Sequence, residues 1–318
     1  MMHYLDPQNA SFADAIANEP APHQLGAVKA REAMEKLQKH EAAPDILTEA
    51  FRVPGECGPT SVVIVRSKSL ATKQLPMVFY THGGGWILGS SASFAPLLED
   101  LARRTGAAIV FPHYTPAPEK QFPFQFEQTY EVLDYLVRHG SERDLIVQSI
   151  ALAGDSVGGH MAIALMQMAL ERSLPAEIAH IVLFYPVTDT HKKLESYETF
   201  KDGPFLMADT MNWMIDACIP EEKDRETALA SPLSFLSDDV LSRFPPTTIF
   251  LSAVDPLLDE GLAFGRRLQK AGVDAAVIRA EGQMHAFVLL KAIRDSPTAR
   301  AIMDLTTVRL RTALASLP

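Results

Sequence analysis

The stretch SIALAGDSVGGHMAIAL, residues 149–165, leads from a strand into a helix through a turn centred on Ser156. Gly154 and Gly158 stand two residues on either side of this serine. Glycine suits both positions, because a strand and a helix that meet in a sharp turn leave little room for side chains. A serine held at the end of a strand in this way is a candidate nucleophile. Alternatively, Ser156 only caps the N-terminus of the helix.

Strand and helix patterns alternate along most of the chain around this turn. Helical patterns fill most gaps between the strand candidates from residue 91 onward. Such alternation predicts an α/β fold with a mainly parallel central sheet and helices on both faces. The strand candidates, rich in Val, Ile and Phe, are residues 60–67, 75–81, 107–114, 149–155, 177–186, 246–254 and 275–281.

Two segments depart from this alternation and are predicted to form a cap. Residues 188–245 separate two strand candidates by far more than the usual connection. Residues 1–50 are predicted to be mostly helical. The remaining residues, 51–187 and 246–318, are predicted to form the α/β-hydrolase core. The apolar residues that recur at near-helical intervals in the N-terminal segment are Leu25, Val28, Met34 and Leu37.

Composition and charge limit the classes of protein to consider. The 318 residues are 47% hydrophobic, enough to bury the core of one large α/β domain or about two average ones. The chain carries 29 Lys and Arg against 39 Asp and Glu, a net charge of −10, and has no basic cluster. We therefore expect neither nucleic acid nor an anionic membrane as a partner.

The cysteines and the N-terminus give no sign of metal binding or export. Cys57 and Cys218 stand far apart without metal-ligand spacing, so we expect no metal, no organic cofactor and two reduced thiols. The N-terminus lacks the pattern of a signal peptide, and no apolar run approaches the roughly 18 residues of a membrane span. The expectation is a cytoplasmic protein without stable membrane insertion.

Two residues that follow later strand candidates could activate Ser156. Asp255 comes just after residues 246–254, and His285 just after residues 275–281. The carboxyl ends of parallel strands meet at one edge of a sheet, where a serine, a histidine base and an orienting acid can come together. The chain order Ser, Asp, His is the one expected of an α/β hydrolase.

Both of these assignments have alternatives. Asp255 precedes Pro256 and could only cap the following helix, in which case Asp259 or Asp189 would be the acid. His285 could be a hydrogen-bonded loop histidine without a role in proton transfer.

The stretch HGGGW, residues 82–86, sets three consecutive glycines just behind a strand candidate. Their backbone freedom lets another group approach the amide N–H groups closely, so this loop could bind an anion. It could equally be a tight turn.

Five motifs in order, HGGGW, YTPAPEKQFP, GDSVGG, DPLLDEG and GQMHAF, resemble those of the hormone-sensitive-lipase-like family of α/β-hydrolase carboxylesterases. The resemblance runs from about residue 50 to the C-terminus, and the first fifty residues are similar to that family's N-terminal cap. Two departures stand close to the motifs. Thr115-Pro116 replaces the usual Arg-Leu, and Val157 replaces the usual Ala.

The resemblance implies an α/β-hydrolase fold and a serine carboxylesterase acting on a small-molecule ester through an acyl-enzyme. An oxyanion hole would then combine the residue after the nucleophile with the glycine loop. The implied nucleophile, base and acid are Ser156, His285 and Asp255, and the implied oxyanion donors are the N–H groups of Gly83, Gly84 and Val157.

Four neighbouring polar residues are interpreted as support for the site. His82 is more consistent with a structural role, and His160 with polar packing beneath the site. Asp155 and Glu119 are interpreted as buried hydrogen-bonding groups near the turn at Ser156.

Bulky residues of the two cap segments predict a short substrate pocket, although they could also be plain core. The expected substrates are therefore acetyl to roughly hexanoyl esters. An amidase or deacetylase with the same triad and a non-catalytic binding protein remain alternatives, and a homodimer stays open. The expected pocket residues are Trp86, Phe205, Leu206, Met207, Met211, Trp213 and Met214, with Tyr4, Leu5, Phe12 and Ile16 from the N-terminal segment.

Overall fold

A computed structural model describes residues 4–315, so the extreme ends of the predicted cap and core, residues 1–3 and 316–318, lie outside it. One eight-stranded sheet runs through the described residues in the order β1-β2-β4-β3-β5-β6-β7-β8. The β1–β2 and β2–β4 pairs are antiparallel and the other pairs are parallel. The strands are β1 Ile46–Val53, β2 Thr60–Ser67, β3 Leu75–Thr81, β4 Ala108–His113, β5 Leu145–Asp155, β6 Glu177–Phe184, β7 Thr247–Val254 and β8 Ala275–Met284.

Helices connect the parallel strands and cover the sheet, as the alternating pattern predicts. Two short 3₁₀ helices, Lys68–Leu70 and Gly140–Arg143, lie in loops. The α-helices are α1 Pro7–Ile16, α2 Pro22–Leu37, α3 Ala95–Thr105, α4 Phe124–His139, α5 Val157–Glu171, α6 Glu195–Thr199, α7 Ala208–Cys218, α8 Glu222–Arg225, α9 Pro232–Phe235, α10 Asp238–Leu241, α11 Leu258–Lys270 and α12 Pro297–Ala315. Helices α6 to α10 all fall within the predicted insertion at 188–245.

Two hydrophobic cores lie on opposite faces of the sheet, and β3 shows why its sequence is a continuous apolar run. Met77 and Phe79 belong to one core, whereas Val78 and Tyr80 belong to the other. Successive side chains of a strand point to opposite faces, so a strand covered by helices on both sides must be apolar at every position. The mainly parallel α/β fold predicted from the sequence is confirmed.

Two sequence predictions for the N-terminal segment need correction. The edge strand β1, Ile46–Val53, was not among the strand candidates, because polar and charged residues interrupt its apolar ones and half of its residues are exposed. Helix α2 forms as predicted, but Gly26 has φ 73° and ψ 167° and breaks the helical path. The kink interrupts the predicted helical spacing between Leu25 and the later apolar residues, of which Val28 and Leu37 are exposed.

The carboxyl ends of the parallel strands meet at one edge of the sheet, below the α6–α10 region. Strands β5, β7 and β8 end at or beside the three residues predicted to form a triad. None of the helices between residues 4 and 315 combines the length and apolar character needed to cross a membrane.

Candidate active site

The turn after β5 holds Ser156 in a conformation that few residues adopt. Ser156 has φ 54° and ψ −125°, and its side chain makes no capping hydrogen bond to α5, so the helix-cap alternative is not observed. A Cβ on Gly158 would lie 2.1 Å from the carbonyl oxygen of Thr81, so the two atoms would overlap. The glycine is therefore required by the close approach of α5 to β3, as the sequence predicts. Backbone strain of this kind costs about 1–3 kcal/mol and is concentrated at functional sites.

His285 lies between Ser156 and Asp255 and is hydrogen-bonded to both. Its Nε2 is 3.0 Å from Oγ of Ser156, and its Nδ1 is 2.7 Å from Oδ2 of Asp255. All three side chains are nearly or fully buried. Since a carboxylate can only accept, Nδ1–H donates to Asp255, which leaves Nε2 free to accept from the serine hydroxyl. The structure thus brings together the three residues predicted from separate motifs.

Asp255 also caps the turn into α11. The sequence-based alternative, that Asp255 caps this helix, therefore holds together with its hydrogen bond to His285. Its Oδ1 accepts from the N–H of Leu257 at 2.9 Å while Oδ2 faces His285. The other two candidate acids are engaged elsewhere. Asp259 accepts from the N–H of Ser196, and Asp189 from the N–H groups of His191 and Lys192.

The glycine loop is anchored from below by Asp155, and this contradicts one sequence prediction. The N–H of Gly83 donates to Oδ1 of Asp155 at 2.9 Å, and the Tyr80 hydroxyl donates to the same oxygen at 2.9 Å. The Gly83 N–H is therefore already bonded and is not an oxyanion donor in this arrangement. Burial raises the pKa of Asp155 to about 6, against the opposing effect of these two donors.

The next two glycines carry the N–H groups that remain available. Gly84 and Gly85 have φ 91° and φ 65°, in the left-handed region that favours glycine. None of the hydrogen bonds within the described part of the chain uses either N–H. Val157 is the first residue of α5, where a backbone N–H has no intrahelical acceptor. Gly85 was missed by the sequence analysis, because the motif shows three glycines but not which N–H is already bonded.

Two buried histidines support the loop and are neutral, as their interpretation as packing residues requires. His82 stacks on Tyr114 and Phe111 with ring centroids 4.2 and 4.8 Å away, and burial lowers its pKa to about 3. His160 donates from Nε2 to the carbonyl of Leu229 at 2.8 Å, and burial lowers its pKa to about 4.

Glu119 lies elsewhere than predicted. Its side chain is half exposed and forms a bidentate ion pair with Arg31 of α2, so it is not buried near Ser156. Arg31 also donates from Nε to the carbonyl of Ile87 and from Nη2 to that of Ala117. Its single guanidinium therefore joins α2 to the loop that follows the glycines. No local pattern points to Arg31, which lies in a segment without recognisable motifs.

The predicted pocket residues divide into buried and partly exposed side chains. Trp86 is fully buried and its ring meets that of His160 edge-on at 5.6 Å, so it lies in the core below the loop rather than on an open wall. Met214 of α7 lies directly against the loop, since a Cβ on Gly85 would be 2.0 Å from its Sδ. Leu206 and Met211 are buried, whereas Phe205, Met207 and Trp213 are partly exposed.

The two segments predicted to form a cap contact each other. The ring centroids of Phe12 in α1 and Phe205 are 6.1 Å apart, and His23 of α2 is hydrogen-bonded to Thr210 of α7. Leu5 and Ile16 pack against the same core as Phe12, whereas Tyr4 is exposed. No group of three or more His, Cys, Asp or Glu side chains suited to a metal ion occurs from residue 4 to residue 315.

Comparisons with known proteins identify the family and the fold. Residues 78–289 match the sequence profile of the alpha/beta hydrolase fold family. An esterase of Gibberella moniliformis is 67% identical over 96% of this chain and 97% of its own. An ethyl acetate hydrolase of Pseudomonas putida is 30% identical over 71% of this chain and 70% of its own.

The solved structure of carboxyl esterase 2 from the fungus Tuber melanosporum superimposes with a TM-score of 0.90 at 31% identity, covering 98% of this chain and 99% of that one. Its coverage includes the two predicted cap segments as well as the predicted core. The chain belongs to the α/β-hydrolase fold family, among its hormone-sensitive-lipase-like carboxylesterases, and is a carboxylic ester hydrolase.

Proposed function

We propose that the chain hydrolyses short- to medium-chain acyl esters with Ser156 as nucleophile, His285 as base and Asp255 as the orienting acid. The observation that carries this proposal is the unbroken hydrogen-bond series from Ser156 Oγ through both ring nitrogens of His285 to Asp255. A serine hydroxyl is a weak nucleophile until a neutral imidazole accepts its proton.

In the acylation step, His285 Nε2 takes the proton of Ser156 as Oγ bonds to the ester carbonyl carbon. The imidazolium that results is stabilised by the ionised carboxylate of Asp255. The carbon–oxygen bond to the alcohol then breaks, and His285 returns its proton to the leaving alkoxide. The products of this step are the free alcohol and an acyl group on Ser156.

Deacylation repeats the same proton transfers with water in place of the serine. His285 removes a proton from water as the water oxygen attacks the acyl carbon, and then gives the proton back to Ser156 as the acyl–oxygen bond breaks. The acid is released and the enzyme is regenerated.

The negative charge of each tetrahedral intermediate falls on the former carbonyl oxygen. We assign its donors as the N–H groups of Gly84, Gly85 and Val157, with Gly83 replaced because its N–H donates to Asp155. Donors fixed in advance stabilise the charge as it develops, and the loss of one such donor costs about 3 kcal/mol in activation free energy. Asp155 would then act indirectly, by holding the loop in place.

We assign residues 1–50 and 188–245 to a cap that limits the acyl chain, over a catalytic core at 51–187 and 246–318. Met214, an apolar residue of the proposed cap, packs against Gly85 and so lies next to the proposed oxyanion donors. Each methylene that is buried gains about 0.8 kcal/mol until the wall is reached. The similarity to an ethyl acetate hydrolase also favours a small acyl group.

The experiment that tests the proposal compares wild type with Ser156→Ala on p-nitrophenyl esters of graded acyl length. We expect the variant to lose at least ~10³-fold in kcat and to fold normally. An organophosphate should add to Ser156, as located by peptide mass spectrometry. Labelling of another serine would refute the nucleophile.

The same panel tests the substrate class. We expect the highest kcat/KM between acetyl and about hexanoyl esters, because a short pocket cannot accommodate longer acyl chains. A higher value for palmitoyl than for butyryl esters below their aggregation limit would refute the pocket argument. An anilide with the preferred acyl group is the control, and faster cleavage of the anilide than of the ester would favour an amidase.

A further inference from the structure

Strand β8 loses its regular pairing with β7 just before His285. Ser252 pairs with Ala280 and Val254 with Met284, so one residue of β7 faces three of β8, residues 281–283. A bulge of this kind leaves backbone groups without their usual partners in the ladder. Met284 lies beyond the bulge and pairs again with Val254, but β8 is the last strand of the sheet, so its outward-facing backbone groups need partners other than a strand.

Helix α1 and the residue before it supply those partners. The N–H of Asp6 donates to the carbonyl of Gly282 at 3.0 Å, and Oδ1 of Asn9 accepts from the N–H of Met284 at 3.0 Å. Gly282 has φ 73°, and a Cβ there would lie 3.0 Å from the Asp6 nitrogen. The N-terminal segment thus crosses β8 in contact with the backbone, one residue before His285.

The side chains at this crossing form a closed group that we call the Asn9 network, made of Asp6, Asn9, Gln283 and Ser296. Nδ2 of Asn9 donates to Asp6 and to Oε1 of Gln283 at 2.9 and 3.0 Å. Gln283 donates to Asp6 and also accepts from Ser296 at 2.9 Å. All four are buried, and Asn9, Gln283 and Ser296 are fully so.

Every polar atom of the Asn9 side chain is used in this network, which fixes its orientation. Burial alone would raise the pKa of Asp6, yet the hydrogen bonds from Asn9 and Gln283 together lower it. Asp6 is therefore an anion that holds the Asn9 amide with its oxygen toward Met284. A buried network with all its members bonded is rigid, and its partial loss is costly.

We propose that Asn9 is a positioning residue for His285: its side chain accepts from the N–H of Met284 in the edge strand β8 and fixes the backbone from which the histidine projects. The inference rests on the proposed role of His285 as base. Nε2 must stay in line with Ser156 Oγ through both half-reactions, and a displacement of about 1 Å in such a group can cost 10²-fold in rate. The cap would then contribute to catalysis as well as to substrate choice.

The test uses the full chain with Asn9→Ala and, as matched control, Ser11→Ala, an exposed residue of the same helix. We measure kcat and KM with p-nitrophenyl butyrate well below each melting temperature. The concentration of active sites is determined by exhaustive organophosphate labelling. Asn9→Ser serves the same purpose where Asn9→Ala does not fold, because the shorter side chain cannot reach Asp6, Gln283 and Met284 together.

A positioning role predicts that Asn9→Ala lowers kcat per labelled site by about 10-fold or more and leaves KM within about twofold. Hydrogen exchange of the peptide containing Met284 should accelerate, while exchange of β3 stays unchanged. Ser11→Ala should match wild type in all three measurements.

A lower melting temperature with unchanged kcat per site would overturn the inference, because it would show a purely structural role. His285→Ala separates this outcome from failure of the proposed function. If His285→Ala keeps its activity, the proposed base is wrong. If only Asn9→Ala keeps it, the positioning inference alone is refuted.

Discussion

The buried carboxyl of Asp155 is expected to make the free energy of unfolding depend on pH, by an amount that follows from its raised pKa. Its pKa is raised to about 6 by burial, against about 3.9 for an exposed Asp. Between these values the folded protein keeps the proton that the unfolded chain has released. The free energy of unfolding contributed by this group is therefore greatest below about pH 4, falls as the pH rises to about 6, and then stays constant.

The loss expected from Asp155 is roughly 3 kcal/mol, because each pKa unit corresponds to 1.36 kcal/mol. Asp155→Asn cannot titrate but keeps an oxygen for the donors on Gly83 and Tyr80. We expect the difference in unfolding free energy, variant minus wild type, to increase by about 3 kcal/mol between about pH 4 and pH 7. Any fixed cost of the substitution is the same at every pH and does not enter this change.

The assay is urea unfolding followed by tryptophan fluorescence, with wild type and variant measured side by side over that pH range. The other carboxyl groups titrate equally in both proteins and cancel from the difference. A difference that is independent of pH, or that decreases as the pH rises, would refute the assignment of a raised pKa to Asp155.

Three further predictions follow from the geometry of the site. Asp255→Asn should lower kcat by about 10⁴-fold through the wrong histidine tautomer, whereas Asp259→Asn should stay within about threefold of wild type; steady-state rates that show the reverse would move the acid to residue 259. Gly158→Ala should yield little folded enzyme, since its Cβ would lie 2.1 Å from a backbone oxygen, and a melting temperature equal to wild type would contradict the close approach. Met214→Ala should shift the preferred acyl chain by about two methylenes toward longer esters, at about 0.8 kcal/mol each; an unchanged optimum in kcat/KM would exclude this residue from the wall.

The parts of the fold that were predictable from sequence are those dictated by neighbouring residues. An apolar run such as that of β3 has to be buried on both faces, and glycines on either side of Ser156 allow only a sharp turn. Strand β1 was missed because a half-exposed edge strand has no continuous apolar run. Ser156, Asp255 and His285 could be predicted to lie together because each follows a strand of the parallel sheet, and the carboxyl ends of parallel strands lie at the same edge.

The errors concern contacts between distant residues. The N–H of Gly83 differs from that of Gly84 only through the carboxylate of Asp155, which lies 72 positions away in sequence. Glu119 was expected to be buried but pairs with Arg31 of the cap, for which no local pattern gives a sign. Composition and periodicity describe segments, whereas these side chains are positioned by elements that meet only in the folded chain.

The crossing of β8 by the N-terminal segment has a consequence for the order in which the chain acquires its structure. Asn9 and Gln283 are 274 residues apart, and contacts of such separation form late because a long loop has to close first. On the ribosome, where the N-terminal part emerges first, Asp6 and Asn9 have no partners in β8 until residues 282–284 have been synthesised. The sheet can assemble progressively from its earlier strands, but the end of β8 that precedes His285 gains its contacts with Asp6 and Asn9 only after that strand has emerged. If Asn9 positions His285 as proposed, catalytic competence is consequently gained only after this late contact has formed.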